Sequence, residues 1–231
     1  MASGETVSTS ARVKRKAAPS APLPAGAGRA QAAVSSPKRQ ALEKAAAAVF
    51  LRDGYAGASV DVIAREAGVS KATLYSHFRS KEELFGAIIC QQCGRFVVEA
   101  QTADAANATP EQILRNLGQG FLENLLSPHV LALYRVVAGE AYRFPALGRT
   151  VYDSGPGPAR LALAGYFRDL TRKGRLSVKH PEIAADQFFG ALLGGIHFRQ
   201  ILALEKPPTR RQIENWVDYA VTSFLAAHRP K

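Results

Sequence analysis

Cysteines, acidic residues and long apolar runs are all scarce in this sequence, and each scarcity excludes a class of protein. The 231 residues include only Cys90 and Cys93, too few for a disulfide framework and typical of a reducing compartment. The longest apolar run, residues 188–198, is well short of the roughly 18–20 residues that span a bilayer. We therefore predict a cytoplasmic protein without a membrane-spanning segment or a membrane partner.

The shortage of acidic residues leaves a strongly basic chain. There are 30 lysines and arginines against 19 aspartates and glutamates, which gives a net charge of +11. The excess is spread over the chain, and its densest cluster lies within residues 12–16. A protein this basic usually binds a polyanion such as nucleic acid, although a spread excess can also serve solubility alone.

Common motifs of catalysis are also absent from the sequence. It has no glycine-rich phosphate loop, no His-x-x-x-His pair and no nucleophilic serine elbow. Cys90 and Cys93 are three residues apart, a spacing that does not favour a disulfide on a regular helix. Without neighbouring histidines they supply half of a zinc site, so two buried thiols are the simpler interpretation. We predict no enzymatic activity, no metal and no cofactor, and the sequence leaves a redox role for the cysteines open.

Apolar residues recur at helical spacing from residue 38 onward, and no run alternates as a strand would. Residues 1–36, rich in Ala, Ser, Pro and Gly, are predicted to be a disordered basic tail. Capping boxes begin at Ser80, Thr109 and Thr209. The fold prediction is an all-α protein of about nine helices. These helices cover residues 38–53, 60–67, 70–78, a long helix from residue 80, then 110–126, 129–143, 158–173, 181–204 and 209–228.

Residues 54–81 have the pattern of two short helices joined by a tight turn. Ala64 and Ala67 keep the crossing point small, and Gly68 can take a positive φ. The apolar seam consists of Val60, Ile63, Val69, Leu74 and Phe78. The second helix then points polar side chains outward, as a helix-turn-helix does toward the DNA major groove. These candidate DNA contacts are Ser70, Lys71, Thr73, Tyr75, Ser76 and His77.

This stretch resembles the DNA-binding domain of the tetracycline-repressor (TetR) family of transcriptional regulators. The residues that carry the resemblance are Ile63-Ala64, Ala67-Gly68-Val69-Ser70, Thr73-Leu74-Tyr75, His77-Phe78 and Lys81-Glu82-Glu83-Leu84. The resemblance implies base or backbone contacts by Thr73, Tyr75 and His77, and a phosphate contact by Lys81. It also implies a homodimer with a helix-turn-helix domain over residues 37–85 and an effector-binding and dimerisation domain over residues 86–231.

The C-terminal half carries weaker signals. Residues 136–147 resemble the AefR-like subgroup of the family. The last two helices have an apolar face that we assign to the dimer interface, although the same residues would also suit an intrachain core. These are Phe188, Leu192, Gly195, Ile196, Trp216, Ala220 and Phe224. Candidate ligand-binding residues are Phe96, Phe121, Tyr134, Glu140, Tyr142, Tyr166 and His197. For the aromatic residues a place in the core is the simpler interpretation, and Glu140 would also suit a surface ion pair.

Together these patterns predict a ligand-responsive regulator of transcription. A dimer would repress by binding a palindromic, double-stranded operator, and a small, mostly apolar molecule would release it. Two alternatives remain at this point. One is a transcriptional activator of the same fold, and the other is a basic architectural DNA-binding protein with little sequence specificity.

Overall fold

Ten helices form the regular structure of residues 36–102 and 108–230, the part of the chain that this computed structural model describes. They are α1 (Pro37–Gly57), α2 (Val60–Glu66), α3 (Lys71–His77), α4 (Lys81–Thr102), α5 (Pro110–Leu125), α6 (Pro128–Glu140), α7 (Pro145–Ser154), α8 (Pro156–Arg172), α9 (Pro181–Ile201) and α10 (Arg210–Ala227). No strand occurs in these ranges, and the all-α prediction is confirmed. The predicted tail lies outside the described residues except for Ser36, whose hydroxyl caps α1.

The helix that the sequence prediction omitted is α7. Pro145 occupies its first turn, and its N-cap, Phe144, makes no side-chain capping bond. A proline followed by Gly148 reads as a connection when no capping signal precedes it. Packing explains the helix instead, because Leu147 is fully buried.

Capping bonds fix most of the other helix starts. Thr109 and Thr209 each form a complete capping box with the glutamine three residues later, as predicted. The box at Ser80 is only half formed. Its hydroxyl accepts the Glu83 N–H at 3.1 Å, but the Glu83 carboxylate accepts the N–H of Arg79 at 2.7 Å rather than that of Ser80.

Two glycines interrupt helices by adopting a positive φ. Gly54, predicted to end the first helix, has φ +71° and breaks α1 before one further turn to Gly57. Gly194 has φ +36° and breaks α9. Both values lie in the left-handed region that other residues rarely occupy, so each break depends on glycine.

The described residues pack around two apolar cores. In the first, the rings of Phe50, Tyr55 and Phe85 lie 4.8–5.9 Å apart. This core also contains Leu133 of α6 and Leu147 of α7, so the three N-terminal helices pack directly on the C-terminal half. In the second core, the rings of Phe167 on α8 and Phe224 on α10 stack 4.6 Å apart, and the ring of Phe188 on α9 meets both edge-on at 5.3–6.2 Å. The predicted domain boundary between residues 85 and 86 stays a prediction.

Helix α4 connects the two cores and lies very close to α7 and α8. A Cβ atom on Gly86 would lie 2.7 Å from Thr150 Cγ2, and one on Gly155 would lie 2.7 Å from Cys93 Sγ. Because Gly86 and Gly155 have no side chain, α4 lies closer to α7 and α8 than larger residues would allow. Within the described ranges, no helix has both the length and the apolar composition that a membrane span requires.

Candidate nucleic-acid interface and effector region

The turn between α2 and α3 sets the direction of α3. Gly68 takes φ +68°, as predicted, and the Val69 N–H donates to the Ala64 carbonyl at 3.0 Å. Ser70 caps α3 by accepting the Thr73 N–H at 3.1 Å. Leu74 and Phe78 are buried in the first core, which anchors one side of α3 and leaves the other side accessible.

The accessible side of α3 carries the predicted DNA contacts. Lys71, Tyr75 and Ser76 are exposed, whereas Thr73 and His77 are half-buried. Three of the hydroxyls on this side form local hydrogen bonds. The Ser70 and Thr73 hydroxyl oxygens lie 2.9 Å apart, and Ser76 Oγ donates to the Thr73 carbonyl at 2.7 Å. Tyr75, with 47% of its surface exposed, presents the largest side chain of the helix to solvent.

Lys71 is bound by a carboxylate of the preceding helix. Its Nζ lies 3.0 Å from Asp61 Oδ1 and 3.1 Å from Asp61 Oδ2. The hydrogen bond to Asp61 raises the pKa of Lys71. This pair was not among the residues predicted from the sequence, although opposite charges in the first turns of two successive short helices are a signal that could have indicated it.

Lys81, the predicted phosphate contact, binds the end of α1. Its ammonium donates to the carbonyls of Tyr55 at 2.7 Å and Ala58 at 3.2 Å, and lies 4.4 Å from the centre of the Tyr55 ring. The Tyr55 hydroxyl donates to Glu82 Oε1 at 2.5 Å. Burial, followed by this hydrogen bond, raises the pKa of Tyr55, and the same bond lowers the pKa of Glu82. The first turn of α4 is therefore fastened to α1, and a phosphate contact by Lys81 stays a prediction.

The predicted ligand-binding residues do not form a single cluster. Phe96 and Phe121 pack against each other and against Phe189, with ring centres 5.0–5.7 Å apart. Tyr134 and His197 form a second pair, with ring centres 4.9 Å apart. His197 is buried, and burial lowers its pKa.

The other three ligand candidates lie elsewhere. Tyr166 is buried beside Phe167 in the second core. Tyr142 is 96% exposed. Glu140 pairs with Arg143 at 3.6 Å, and its Oε1 lies 3.8 Å from the position that a Cβ atom on Gly54 would occupy.

Most residues assigned to the dimer face are buried inside this chain. Their buried members are Phe188, Leu192, Ile196, Ala220 and Phe224. Gly195 is exposed and Trp216 is half-buried. The accessible apolar surface of α9, α10 and the segment between them is formed by other side chains, namely Ile183, Phe198, Leu202, Leu204 and Tyr219.

A groove of about 730 Å³ lies between the end of α9 and α10. Ile196, Trp216 and Tyr219 supply part of its apolar wall, and Arg199 and Lys206 contribute positive charge. None of the seven predicted ligand-binding residues lines it, whereas three of the predicted dimer residues do.

The indole of Trp216 fills the break in α9. Its Nε1–H donates to the carbonyls of Ala191 at 3.1 Å and Leu192 at 2.9 Å, which the break at Gly194 makes available. A Cβ atom on Gly194 would lie 2.7 Å from Trp216 Cζ2. The shape of this part of the groove therefore depends on both residues.

The two cysteines differ in exposure on α4. Cys90 is exposed, and Cys93 is half-buried at the crossing with Gly155. Burial, with a smaller contribution from Cys90, raises the pKa of Cys93 to about 11. A thiol with so high a pKa is a poor nucleophile near neutral pH. The described residues contain no group of three or more His, Cys, Asp or Glu side chains placed to hold a metal ion.

Two family models match the chain. Residues 42–88 match the model of bacterial regulatory proteins of the tetR family. Residues 112–230 match the C-terminal domain of AefR-like transcriptional repressors. Both resemblances predicted from the sequence are therefore confirmed.

Curated relatives align with part of the chain. It is 37% identical over 86 residues to the HTH-type transcriptional activator FasR of Mycolicibacterium smegmatis, which covers 37% of this chain and 39% of that protein. It is 34% identical over 107 residues to the HTH-type transcriptional regulator BetI of Rhizobium meliloti, covering 46% of this chain and 53% of that protein. The chain thus spans about half or less of the length of these curated relatives.

Solved structures align over a larger share. A Mesorhizobium loti protein assigned to the TetR-family transcriptional regulators gives a TM-score of 0.72 at 30% identity, covering 83% of this chain and 96% of that one. The flavonoid-responsive regulator FrrA gives a TM-score of 0.68 at 32% identity, covering 84% and 98%. With both halves matched by family models and most of its length matched by solved relatives, the chain belongs to the tetracycline-repressor family of transcriptional regulators.

Proposed function

We propose that the protein binds a palindromic DNA operator as a homodimer and represses transcription until a small, mostly apolar molecule releases it. The observation that carries the proposal is the recognition helix α3, whose apolar side is locked in the first core while Lys71 and Tyr75 face solvent. Residues 70–78 extend over about 12–14 Å, enough to read one short half-site. A dimer would place two copies about 34 Å apart, one turn of B-DNA.

The proposed dimer face is the accessible surface of α9 and α10. Exposed Phe198 and Tyr219 lie on these helices, and the groove between them has Trp216 in its wall. An exposed apolar patch of this kind is typical of a protein interface. We therefore move the interface from the buried residues named by the sequence to this surface.

Release by an effector would act through α4. This helix begins at Lys81, fastened to α1, and continues past the close contacts at Gly86 and Gly155 into the C-terminal half. A tilt of α4 would change the separation of the two recognition helices. A coupling of about 1–3 kcal/mol between effector and operator is typical of such a regulator. In this proposal the protein acts in the cytoplasm and catalyses no reaction.

Activation of transcription, rather than repression, is the second candidate function. FasR is named an activator, whereas the family model that matches residues 112–230 describes repressors. Transcription in vitro from a promoter that carries the selected operator separates the two. Less transcript on addition of the protein supports repression, and more supports activation.

The DNA contacts are tested by alanine variants measured on two duplexes. One duplex is enriched by the wild-type protein from a random pool, and the other has random sequence. We expect T73A and H77A to weaken binding to the enriched duplex by about 1–3 kcal/mol and to spare the random duplex, since base contacts carry sequence choice. Equal losses on both duplexes would contradict the assignment. Failure of the wild type to enrich any sequence would favour the architectural alternative.

The same titrations test Lys81 at several salt concentrations. We expect K81A to weaken binding to both duplexes equally and to reduce the salt slope by about one. Because Lys81 also binds the carbonyls of Tyr55 and Ala58, the unfolding midpoint of K81A must be measured alongside. An unchanged salt slope would show that Lys81 contacts no phosphate and serves only to bind the end of α1.

A further inference from the structure

Asp61 is an acidic residue that lies beside the proposed DNA-binding surface of α3. It lies in the first turn of α2, and both of its carboxylate oxygens contact the ammonium of Lys71 at the start of α3. Both side chains are more than half exposed, so this pair is solvated and can open. With α3 facing DNA as proposed, the pair lies where phosphates would approach this helix.

The other acidic residue of α2 and α3 is placed differently. Glu66 lies in the last turn of α2 and contacts Arg52 of α1 at 2.9 Å, and Arg52 also binds Asp53. Helix α3 itself contains no acidic residue. Of the two carboxylates in these helices, only that of Asp61 contacts a residue of the recognition helix in the described structure.

We propose that Asp61 restrains DNA affinity by competing with phosphate for Lys71, and so raises the preference for the operator over other DNA. Phosphate contacts supply nearly all of non-specific binding and only part of specific binding. A carboxylate that occupies a phosphate-binding lysine therefore weakens non-specific binding proportionally more. The proposal rests on the proposed function, since it assumes that α3 faces DNA.

The salt dependence of binding tests the proposal directly. In D61N the amide keeps the size of the side chain but loses its charge, so Lys71 is released to phosphate. We expect affinity for a random-sequence duplex to rise by about threefold or more at low salt, and the salt slope to steepen by about one. The preference for the enriched duplex should fall accordingly. The measurement is a titration of the full chain with both duplexes at several salt concentrations.

Two further variants distinguish the release of Lys71 from the effect of a general loss of negative charge. E66Q removes one charge from the same helix at its pair with Arg52, and we expect it to leave the salt slope unchanged. The double variant D61N/K71A should lose the gain that D61N alone produces. The proposal is overturned if D61N leaves the slope unchanged, if E66Q steepens it equally, or if the gain survives in the double variant.

The result for the salt slope is independent of whether the protein has a specific operator. The salt slope is measured on random DNA, so a protein that enriches no sequence can still show the expected change in D61N. In that case the proposed function would fail while the competition between Asp61 and phosphate would stand. In the converse case, the wild type enriches an operator while D61N binds random DNA with an unchanged salt slope. That result would disprove the competition between Asp61 and phosphate and leave the proposed function standing.

Discussion

At the scale of single residues, several polar side chains make contacts that the sequence pattern does not reveal. Asp61 looks like an ordinary surface charge, yet it binds Lys71 of α3. Lys81 resembles a phosphate contact, yet its ammonium binds the end of α1. His197 is the opposite case, because it lies in an apolar stretch of α9 and is buried beside Tyr134. Its Nε2 atom has no hydrogen-bond partner within the described residues.

The burial of His197 predicts a specific dependence of stability on pH. Because burial lowers its pKa below the ordinary 6.5, the unfolded chain takes up this proton at a higher pH than the folded chain does. Stability is therefore retained above about pH 6.5 and falls as the pH drops below it, by at most about 1.4 kcal/mol per pH unit for one proton. We expect H197Q to lose less stability than the wild type between about pH 7.5 and about pH 5.5.

Urea unfolding at the two pH values measures this difference, and the comparison within each protein cancels any general destabilisation by glutamine. H129Q is the matched control, since His129 is exposed on α6. It should lose as much stability on acidification as the wild type. An H197Q variant that loses just as much would show that another group controls the acid side of the stability profile.

At the scale of helices, local signals explain what the sequence could predict. The serine and threonine caps, the turn at Gly68 and the seam of α2 and α3 each depend on residues within one or two turns of one another. Such signals remain readable without knowledge of the tertiary structure. The helix-turn-helix was therefore predictable, and so was the side of α3 that faces solvent.

Helix α9 shows why the remainder could not be predicted. Residues 188–198 are apolar on nearly every side, so the periodicity does not say which side faces the chain's own core. The structure buries Phe188 and Leu192 and exposes Phe198. The helix also kinks at Gly194, and the Trp216 indole of α10 donates to the Ala191 and Leu192 carbonyls beside the kink, a long-range contact that the local sequence pattern does not indicate.

The break in α9 predicts opposite effects for two glycines of the same helix. Alanine at Gly194 would meet both a positive φ and the Trp216 ring, so we expect G194A to destabilise the protein by about 2–4 kcal/mol. Alanine at Gly190 meets no atom of the described chain within 4 Å, so G190A should be neutral or stabilising by up to about 1 kcal/mol. Denaturant unfolding at equal protein concentration measures both.

The indole contribution to the same break is tested by W216F. This variant keeps an aromatic ring but removes the donor to the Ala191 and Leu192 carbonyls, and we expect a loss of about 1–2 kcal/mol. A G194A variant as stable as G190A, or a W216F variant as stable as the wild type, would mean that the break is not held by this contact.

At the scale of the whole molecule, the two proposed surfaces lie in regions with separate cores. Helix α3 packs on the first core, and α9 and α10 pack on the second. A variant at the proposed dimer face should therefore impair operator binding by disrupting the dimer while leaving each recognition helix intact.

Tyr219 is the position for this test, since it is 79% exposed and lines the groove. We expect Y219E to weaken the dimer by about tenfold or more, because a charge would be buried in the interface. Sedimentation measures the dimer, and titration measures a matching loss on the enriched duplex with little change on random DNA. Y142E, at an exposed tyrosine on the turn after α6, should leave the dimer intact. A dimer that tolerates Y219E would place the interface elsewhere.

The indole that closes the break in α9 also gives the protein an optical probe. Trp216 is the single tryptophan of the chain, so all indole emission originates in the wall of this groove. Its emission maximum depends on contact with water, and a second copy or a small molecule that covers the groove shifts it toward the blue. Dilution would then follow dissociation of the dimer by wavelength alone, with no label attached to either protomer.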